Sequence, residues 1–207
     1  MDKKELYENK YELSGLSPSS YFKKQFQYIK NNYIKKENIE ILDLGGGTGE
    51  YAFLLQELNY NVTLFDFSKQ AIKRAKGIGI LSTICDDFLT YDFGEKKYDI
   101  VFVKGFSLLN TDNEEEFLSL TKRMKNILKD DGYIVYWGQT DLSGKWTDSG
   151  WFQLNKEMID NYFESYLILP AFRYQLHLPV IINKFLTKIL SLSPVLPKSM
   201  TLLGISR

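Results

Sequence analysis

The sequence predicts a doubly wound α/β fold, in which helices cover both faces of a mostly parallel sheet. Short apolar segments alternate with segments of helical periodicity, and a glycine cluster joins the first apolar segment to a helix. The segment YDIVFV (98–103) is apolar enough to be buried on both faces of a parallel sheet. With 207 residues, 44% of them apolar, the chain is long enough for one compact domain.

Five strands are predicted from apolar segments bounded by turn or cap residues: 39–44, 61–65, 79–85, 98–103 and 133–137. Helices fill most of the intervals between them. Ser68 is expected to cap one helix and Gly77 to end it, while Thr111 or Asp112 is expected to cap the helix after the fourth strand. A turn at 130–132 then leads into the fifth strand.

Composition limits the classes of function. The 26 basic and 26 acidic residues cancel, so the chain lacks the basic excess of a nucleic-acid-binding surface, and no nucleic acid partner is expected. The single cysteine, Cys85, excludes an internal disulfide and is expected to be a small buried residue. The start MDKKELYENK lacks a signal-peptide core, and no apolar run reaches the roughly 20 residues that span a bilayer, so we expect a cytoplasmic protein.

The strongest chemical signal is DLGGGTG (43–49), which lies between a predicted strand and a predicted helix. Glycines permit a tight turn and close approach of a ligand, and the start of the helix is expected to offer free N–H donors to an anionic or polar group. Asp66 lies 21 residues after Gly45, at the end of the second strand. A carboxylate there can accept hydrogen bonds from both hydroxyls of a ribose.

The glycine spacing separates two kinds of nucleoside cofactor. A dinucleotide fingerprint needs glycines at i, i+2 and i+5. If Gly45 is position i, position i+5 is Glu50, and if Gly46 is position i, position i+2 is Thr48. Neither starting point fits the fingerprint. An acid two residues before G-x-G-x-G resembles motif I of class I S-adenosylmethionine-dependent methyltransferases. An NAD(P)-dependent oxidoreductase is the alternative enzyme, and a non-catalytic cofactor-binding interaction protein is the alternative outside enzymes.

The resemblance covers residues 36–138. FDFS (65–68) resembles the second motif of the family, CDDF (85–88) the third, and LKDDGYI (128–134) a late turn. The resemblance implies a Rossmann-like, seven-stranded sheet in the order 3-2-1-4-5-7-6. Its antiparallel last strand would be Thr201 to Ser206.

The resemblance also implies a site for S-adenosyl-L-methionine. Asp66 would bind the ribose and Phe67 would pack on the adenine. Asp87, with Asp86 as its rival, would accept a hydrogen bond from the adenine amino group, and the next backbone N–H would reach a ring nitrogen. The expected cofactor-binding residues are Tyr11, Asp43, Gly45, Gly46, Gly47, Gly49, Asp66, Phe67, Asp86, Asp87, Phe88, Lys104 and Phe106.

Methyl transfer from a sulfonium is an in-line displacement, so the protein mainly has to align the acceptor and exclude water. Lys104 and Ser107 are candidate catalytic residues, because ligands of open α/β sheets bind beyond the carboxyl ends of strands. His177, the only histidine, is the candidate general base. The chain has no N-P-P-Y or D-P-P-Y segment, which disfavours N-methylation of nucleic acids, and no metal site is expected.

One domain with three parts is predicted: a helical lid at 1–35, a cofactor-binding core at 36–138, and a substrate loop with a C-terminal elaboration at 139–207. An apolar stripe within 178–192 predicts an inserted amphipathic helix, which would pack on the domain, form a dimer contact or grip a lipid-linked substrate. The expected partner is a small-molecule acceptor, such as a sugar or another metabolite, methylated on oxygen or nitrogen. The protein is expected to be a monomer or a homodimer.

Overall fold

The computed structural model of the protein describes residues 20–111, 113–142, 153–170, 182, 185 and 200–207. The strands are β1 (Glu40–Leu44), β2 (Asn61–Asp66), β3 (Ser82–Cys85), β4 (Tyr98–Lys104), β5 (Leu128–Thr140), β6 (Ser165–Pro170) and β7 (Met200–Ser206). The helices are α1 (Ser20–Asn32), α2 (Glu50–Glu57), α3 (Lys69–Gly77), α4 (Glu114–Asn126) and α5 (Lys156–Tyr162), with a 3-10 turn at Ser107–Leu109. The seven strands follow the order β3-β2-β1-β4-β5-β7-β6, and β7 is antiparallel to β5 and β6. The predicted fold class and strand order are confirmed.

The chain divides into two compact units. Met1–Val103 with Ile127–Gly132 form the first, and Lys104–Asn126 with Tyr133–Arg207 form the second. In the first unit β1 pairs in parallel with both β2 and β4, and β2 pairs in parallel with β3. The division of the chain into lid, core and elaboration stays a prediction.

Aromatic side chains on α1 anchor this helix to the first unit. The rings of Phe22 and Phe26 lie 5.6 and 5.9 Å from the ring of Phe102 in β4. The ring of Phe22 also lies 4.7 Å from the ring of Tyr51, which is at the start of α2. The ring of Phe26 lies 5.5 Å from the ring of Tyr60, which follows the end of α2. The two helices therefore run in the same direction, and α1 begins at the carboxyl edge of the parallel strands. Burying such a side chain contributes about 1.5–3 kcal/mol.

The ends of α3 explain where β3 begins. Ser68 caps the helix as predicted, since its hydroxyl accepts a hydrogen bond from the Ala71 N–H at 3.1 Å. Gly77 is the last helical residue, but the left-handed residue that ends the helix is Gly79, with φ of 99°. The N–H groups of Gly79 and Ile80 bond back to the last turn, in a Schellman arrangement. β3 therefore starts at Ser82, three residues later than predicted.

In the second unit, Asn113 caps α4. Its Oδ1 accepts hydrogen bonds from the N–H groups of Glu115 and Glu116 at 2.9 and 3.3 Å. The hydroxyl of Thr111 instead accepts from the N–H of Asn113, so the prediction of Thr111 as the cap is wrong. The other candidate, Asp112, lies outside the described residues.

The predicted turn at 130–132 lies within the range of β5. A Cβ added to Gly132 would lie 3.0 Å from the Cβ of Leu128 and from the carbonyl oxygen of Lys129. An extended strand cannot bring residues four apart this close. The chain therefore turns here before the central part of β5, as the sequence predicts.

Strands β5, β6 and β7 pack around an aromatic pair. The rings of Tyr136 and Phe163 lie 5.7 Å apart, and a Cβ at Gly204 would stand 2.6 Å from the Phe163 ring. Burial raises the pKa of Tyr136 to about 12.

Of the predicted helix in 178–192, only Ile182 and Phe185 are described, and both are exposed, at 42% and 65%. No helix in the described ranges has the length and apolar character needed to cross a membrane.

A buried carboxylate joins three segments at the amino end of β4. Asp99 accepts hydrogen bonds from the Glu40 N–H at 2.9 Å, from Lys129 at 2.9 Å and from Lys36 at 3.3 Å. Burial opposes ionisation of Asp99, but these hydrogen bonds outweigh it and hold the pKa below its ordinary value of 3.8. The hydrogen bond from Glu40 ties β4 to β1, and the two ion pairs tie it to the segment before β1 and to β5.

Replacing Asp99 with Asn is expected to lower the free energy of unfolding by about 1–3 kcal/mol at neutral pH, because hydrogen bonds to a charged group are lost. A carboxyl whose pKa is depressed by folding contributes stability above its unfolded pKa and loses it as pH falls through its folded pKa. The difference between wild type and Asp99→Asn should therefore shrink below about pH 4. Urea unfolding over a pH series measures it, and a difference that grows on acidification would contradict the assignment.

Candidate cofactor site

The glycine segment forms a closed turn at the carboxyl end of β1. The N–H groups of Gly45 and Gly46 both donate to the carbonyl oxygen of Phe65, at 2.8 and 3.2 Å. The N–H of Gly49 donates to the carbonyl oxygen of Gly46 at 3.1 Å. The backbone takes left-handed φ angles at Gly45, Gly47 and Gly49, of 70°, 57° and 87°. These conformations account for glycine at alternate positions of the turn.

Asp66 connects this turn to the end of β2. One carboxylate oxygen accepts the N–H of Gly47 and the other accepts the N–H of Ser68, each at 2.9 Å. The Asp66 residue is only 3% exposed. A carboxylate oxygen has a second lone pair, so hydrogen bonds from ribose hydroxyls are compatible with both of these contacts.

The expectation of free N–H donors at the start of the helix stays a prediction, but four N–H groups of the turn before it are bonded within the protein. Those of Gly45, Gly46 and Gly47 donate to the end of β2, which lies directly beside the turn, and that of Gly49 donates to Gly46 within the turn. The turn therefore does not present an open row of amides to an anion. It places backbone close to the carboxylate of Asp66 instead.

Two of the glycines fit their neighbours rather than a ligand. A Cβ at Gly46 would lie 2.6 Å from a carboxylate oxygen of Asp43, so Asp43 lies directly under the turn. A Cβ at Gly49 would lie 3.0 Å from the Cβ of Ala75 in α3. Asp43 is itself buried, at 2% exposure. The sequence predicted Asp43, Gly46 and Gly49 as cofactor-binding residues. The structure places Asp43 beneath the turn and the two glycines within it.

The two candidate acids for adenine follow β3 and are both exposed. Asp86 accepts the N–H of Asp87 on its own Oδ1 at 2.7 Å, whereas Asp87 accepts the N–H of Leu89 at 2.9 Å. If Asp86 bound the adenine amino group, the N–H of Asp87 would have to reach the ring nitrogen. That N–H is already hydrogen-bonded to the side chain of Asp86. This local geometry favours Asp87 as the acid, with the Phe88 N–H as its neighbour.

Phe67 and Phe88 differ in what their side chains offer. Phe67 is half-buried and directly follows Asp66, which suits a ring that packs on a ligand. The Phe88 ring is buried in a cluster with Phe65 and Phe93, each at a centroid distance of 6.1 Å. Phe88 can therefore serve a cofactor only through its backbone.

Cys85 is exposed, contrary to the prediction that it is buried. It is the last residue of β3, and β3 is the edge strand of the sheet, so one side of the strand has no neighbouring strand. Its Sγ lies 3.7 Å from the carbonyl oxygen of Phe67. No local pattern in the sequence distinguishes an edge strand from a central one.

The remaining predicted residues lie in the second unit or outside the described residues. Lys104 ends β4 and is half-buried, Phe106 is 8% exposed, and Ser107 begins the 3-10 turn. Tyr11 and His177 lie outside the described residues. Within the described ranges, no group of three or more histidine, cysteine, aspartate or glutamate side chains could hold a metal ion.

Comparison with known proteins identifies the class of fold. Residues 41–132 match the family described as methyltransferase domain. The structure resembles the plantazolicin methyltransferase BpumL in complex with a pentazolic analog and SAH. This likeness has a TM-score of 0.60 at 19% identity, over 90% of this chain and 84% of the other. A SAM-dependent methyltransferase from Thiobacillus denitrificans in complex with S-adenosyl-L-homocysteine gives a TM-score of 0.58 at 13% identity, over 100% of this chain and 98% of the other.

A third likeness, to the CcbJ methyltransferase from Streptomyces caelestis, has a TM-score of 0.54 at 15% identity and covers 79% of this chain. The chain spans only 62% of the length of that protein. No curated protein sequence matches the chain. At these identities the likenesses concern the fold. The match to a methyltransferase domain over residues 41–132 and the order of the strands both agree with the resemblance to class I S-adenosylmethionine-dependent methyltransferases found in the sequence.

Sequence reasoning missed the two hydrogen bonds that fix Asp66. A signal for one of them was present, because an aspartate two residues before Ser68 commonly accepts the N–H of that residue in an Asx turn. The bond from Gly47 depends on the parallel pairing of β1 with β2, which brings the turn beside the end of β2. No local pattern encodes that contact.

Replacing Gly49 with Ala is expected to destabilise the protein by about 2–4 kcal/mol, because a left-handed backbone and a close contact are penalised together. Gly94→Ala is the matched control: Gly94 also has a left-handed φ, of 57°, but a Cβ there meets nothing within 4 Å. The control should cost about 1–2 kcal/mol. Urea unfolding of both variants measures the difference, and equal losses would show that Gly49 is not packed against α3.

Proposed function

We propose that this chain binds S-adenosyl-L-methionine at the carboxyl end of β1 and β2 and transfers its methyl group to an oxygen or nitrogen of a small molecule. The observation that carries the proposal is the pair of 2.9 Å hydrogen bonds from Gly47 and Ser68 to Asp66. They fix a buried, charged acceptor beside a turn of glycines, where a nucleoside can approach the backbone closely.

Each residue of this site has a distinct proposed task. Asp66 accepts hydrogen bonds from the ribose hydroxyls, and Phe67 packs on the adenine ring. Asp87 accepts a hydrogen bond from the adenine amino group, and the N–H of Phe88 meets a ring nitrogen. Asp43 supports the turn from below. When bound, the cofactor supplies a methyl group already activated on a sulfonium.

The same geometry argues against a dinucleotide at this turn. A dinucleotide-binding loop holds a diphosphate with backbone N–H groups at the start of a helix. Here the N–H groups of four residues, Gly45, Gly46, Gly47 and Gly49, already donate to acceptors within the protein. These four glycine amides are thus not the donors for a diphosphate, and the glycine spacing remains the main argument against the NAD(P)-dependent alternative.

The acceptor is proposed to be a small metabolite. A net formal charge of zero, with 26 basic and 26 acidic residues, disfavours a polyanionic substrate. Lys104 and Ser107 follow the core of β4, so we propose that they orient the acceptor. His177 is proposed as the base that accepts the proton of the acceptor, where the acceptor carries one.

S-Adenosylhomocysteine and NAD distinguish the two cofactor classes by thermal unfolding. At about 100 times its dissociation constant, S-adenosylhomocysteine should raise the melting temperature by about 5–10 °C, and NAD should leave it unchanged. Transfer of labelled methyl from S-adenosylmethionine into the low-molecular-weight fraction of a cell extract then tests catalysis. Stabilisation by NAD alone would overturn the cofactor assignment, whereas binding of S-adenosylhomocysteine without transfer would favour a non-catalytic protein.

Asp66→Asn is expected to weaken S-adenosylhomocysteine binding roughly tenfold to hundredfold, because charge-assisted hydrogen bonds to the ribose become neutral ones. Titration calorimetry measures the affinity. Asp92→Asn is the control, since Asp92 also accepts a backbone N–H, that of Gly94 at 2.8 Å, but in a separate exposed turn. Equal affinity for wild type and Asp66→Asn would remove Asp66 from the site.

A further inference from the structure

We propose that the protein binds the surface of anionic membranes through an exposed patch at the amino end of β3. This basic-apolar patch is defined by the apolar side chains of Phe53, Ile78 and Leu81 and the basic side chains of Lys73 and Lys76. The proposal is independent of the methyltransferase site, which lies at the carboxyl end of the same strands.

Apolar side chains project into solvent at this patch. Leu81 is 91% exposed, Ile78 43% and Phe53 37%. A ring carbon of Phe53 lies 4.0 Å from the position of a Cβ on Gly79, so α2 and the loop after α3 contribute to one patch. Such a cluster in a surface loop has no role in the core of the first unit.

The exposed position of Leu81 is built into the fold. The side-chain amide of Gln56 donates to the carbonyl oxygen of Gly79 and accepts the N–H of Leu81, both at 3.1 Å. The helix-ending bonds of Gly79 and Ile80 hold the same loop from the other side. Leu81 is therefore presented outward by a hydrogen-bonded loop.

The charged residues of α3 and of the loop that follows it have one sign. Residues 67–85 contain Lys69, Lys73, Arg74 and Lys76 and no acidic residue, although the whole chain has equal numbers of basic and acidic residues. Lys69, Lys73 and Lys76 follow i, i+4, i+7 spacing and are all exposed, while Ala71, Ile72 and Ala75 are buried on the opposite face of α3. Ile78 directly follows α3 in the chain, so it lies at the end of this basic face.

An anionic lipid surface fits this combination better than a protein partner. Three protruding apolar side chains expose far less area than the roughly 1,000 Å² that a stable protein interface buries. Lipid headgroups adapt to a protruding tip, accept the apolar side chains and attract lysines at the same time. A second copy of the chain would bring the same lysines against each other, which costs energy.

Co-sedimentation with vesicles tests the proposal. The full-length protein should bind vesicles of phosphatidylcholine mixed with phosphatidylglycerol and should not bind phosphatidylcholine alone. Leu81→Ser should weaken binding by about tenfold. Lys73→Gln should weaken it about fivefold, and added salt should weaken it further.

Leu118→Ser is the matched control, because Leu118 on α4 is also exposed, at 45%, but lies outside the basic-apolar patch. It should bind as wild type does, and all variants should retain the circular dichroism spectrum of the wild type as evidence of folding. Absence of vesicle binding, equal binding to neutral vesicles, or equal losses for Leu81→Ser and Leu118→Ser would overturn the proposal. A dimer in sedimentation velocity that Leu81→Ser dissociates would also overturn it and identify a self-association surface.

Discussion

The first unit depends on one buried carboxylate placed where two parallel strands end. Asp66 takes one N–H from the turn after β1 and one from its own following turn, so it fixes the path of the chain out of both strands. A buried charge is costly unless it is hydrogen-bonded, and the backbone supplies those bonds here. The same hydrogen bonds fix the position of the carboxylate that is proposed to accept hydrogen bonds from a nucleoside. Local stability and the proposed binding role therefore rest on one group.

A second buried carboxylate, at the opposite end of the sheet, is stabilised by different groups. At the amino end of β4 the buried carboxylate of Asp99 is compensated by Lys36 and Lys129, which neutralise its charge. Burial raises the pKa of Asp99, but the Glu40 N–H and the two lysines together outweigh that effect and hold it below its ordinary value. At Asp66 the donors from Gly47 and Ser68 are neutral backbone N–H groups, which orient the carboxylate.

The parts of the fold that the sequence predicted are those encoded by repeated or distinctive local patterns. Apolar runs located the central strands, since burial on both faces leaves no polar positions, as in YDIVFV at 98–103. Ser68 was identifiable as a cap because its chemistry is local. Asn113 and Gly79 were missed because several adjacent residues could each serve as cap or stop, and tertiary geometry selected among them. Burial of Cys85 was wrongly predicted because membership of an edge strand is a property of the whole sheet.

The candidate site shows the same division between local and non-local information. Glycine spacing and the acid at Asp66 were readable in the sequence, and they indicated the class of cofactor. The use of the turn amides was not readable, because their acceptors, the Phe65 carbonyl and the Asp66 carboxylate, belong to a strand that is adjacent only after folding. This difference changes the proposed recognition of the cofactor. The four glycine amides that are bonded internally cannot also hold an anion, so the proposed function assigns recognition of the ribose to the fixed carboxylate of Asp66 rather than to these amides.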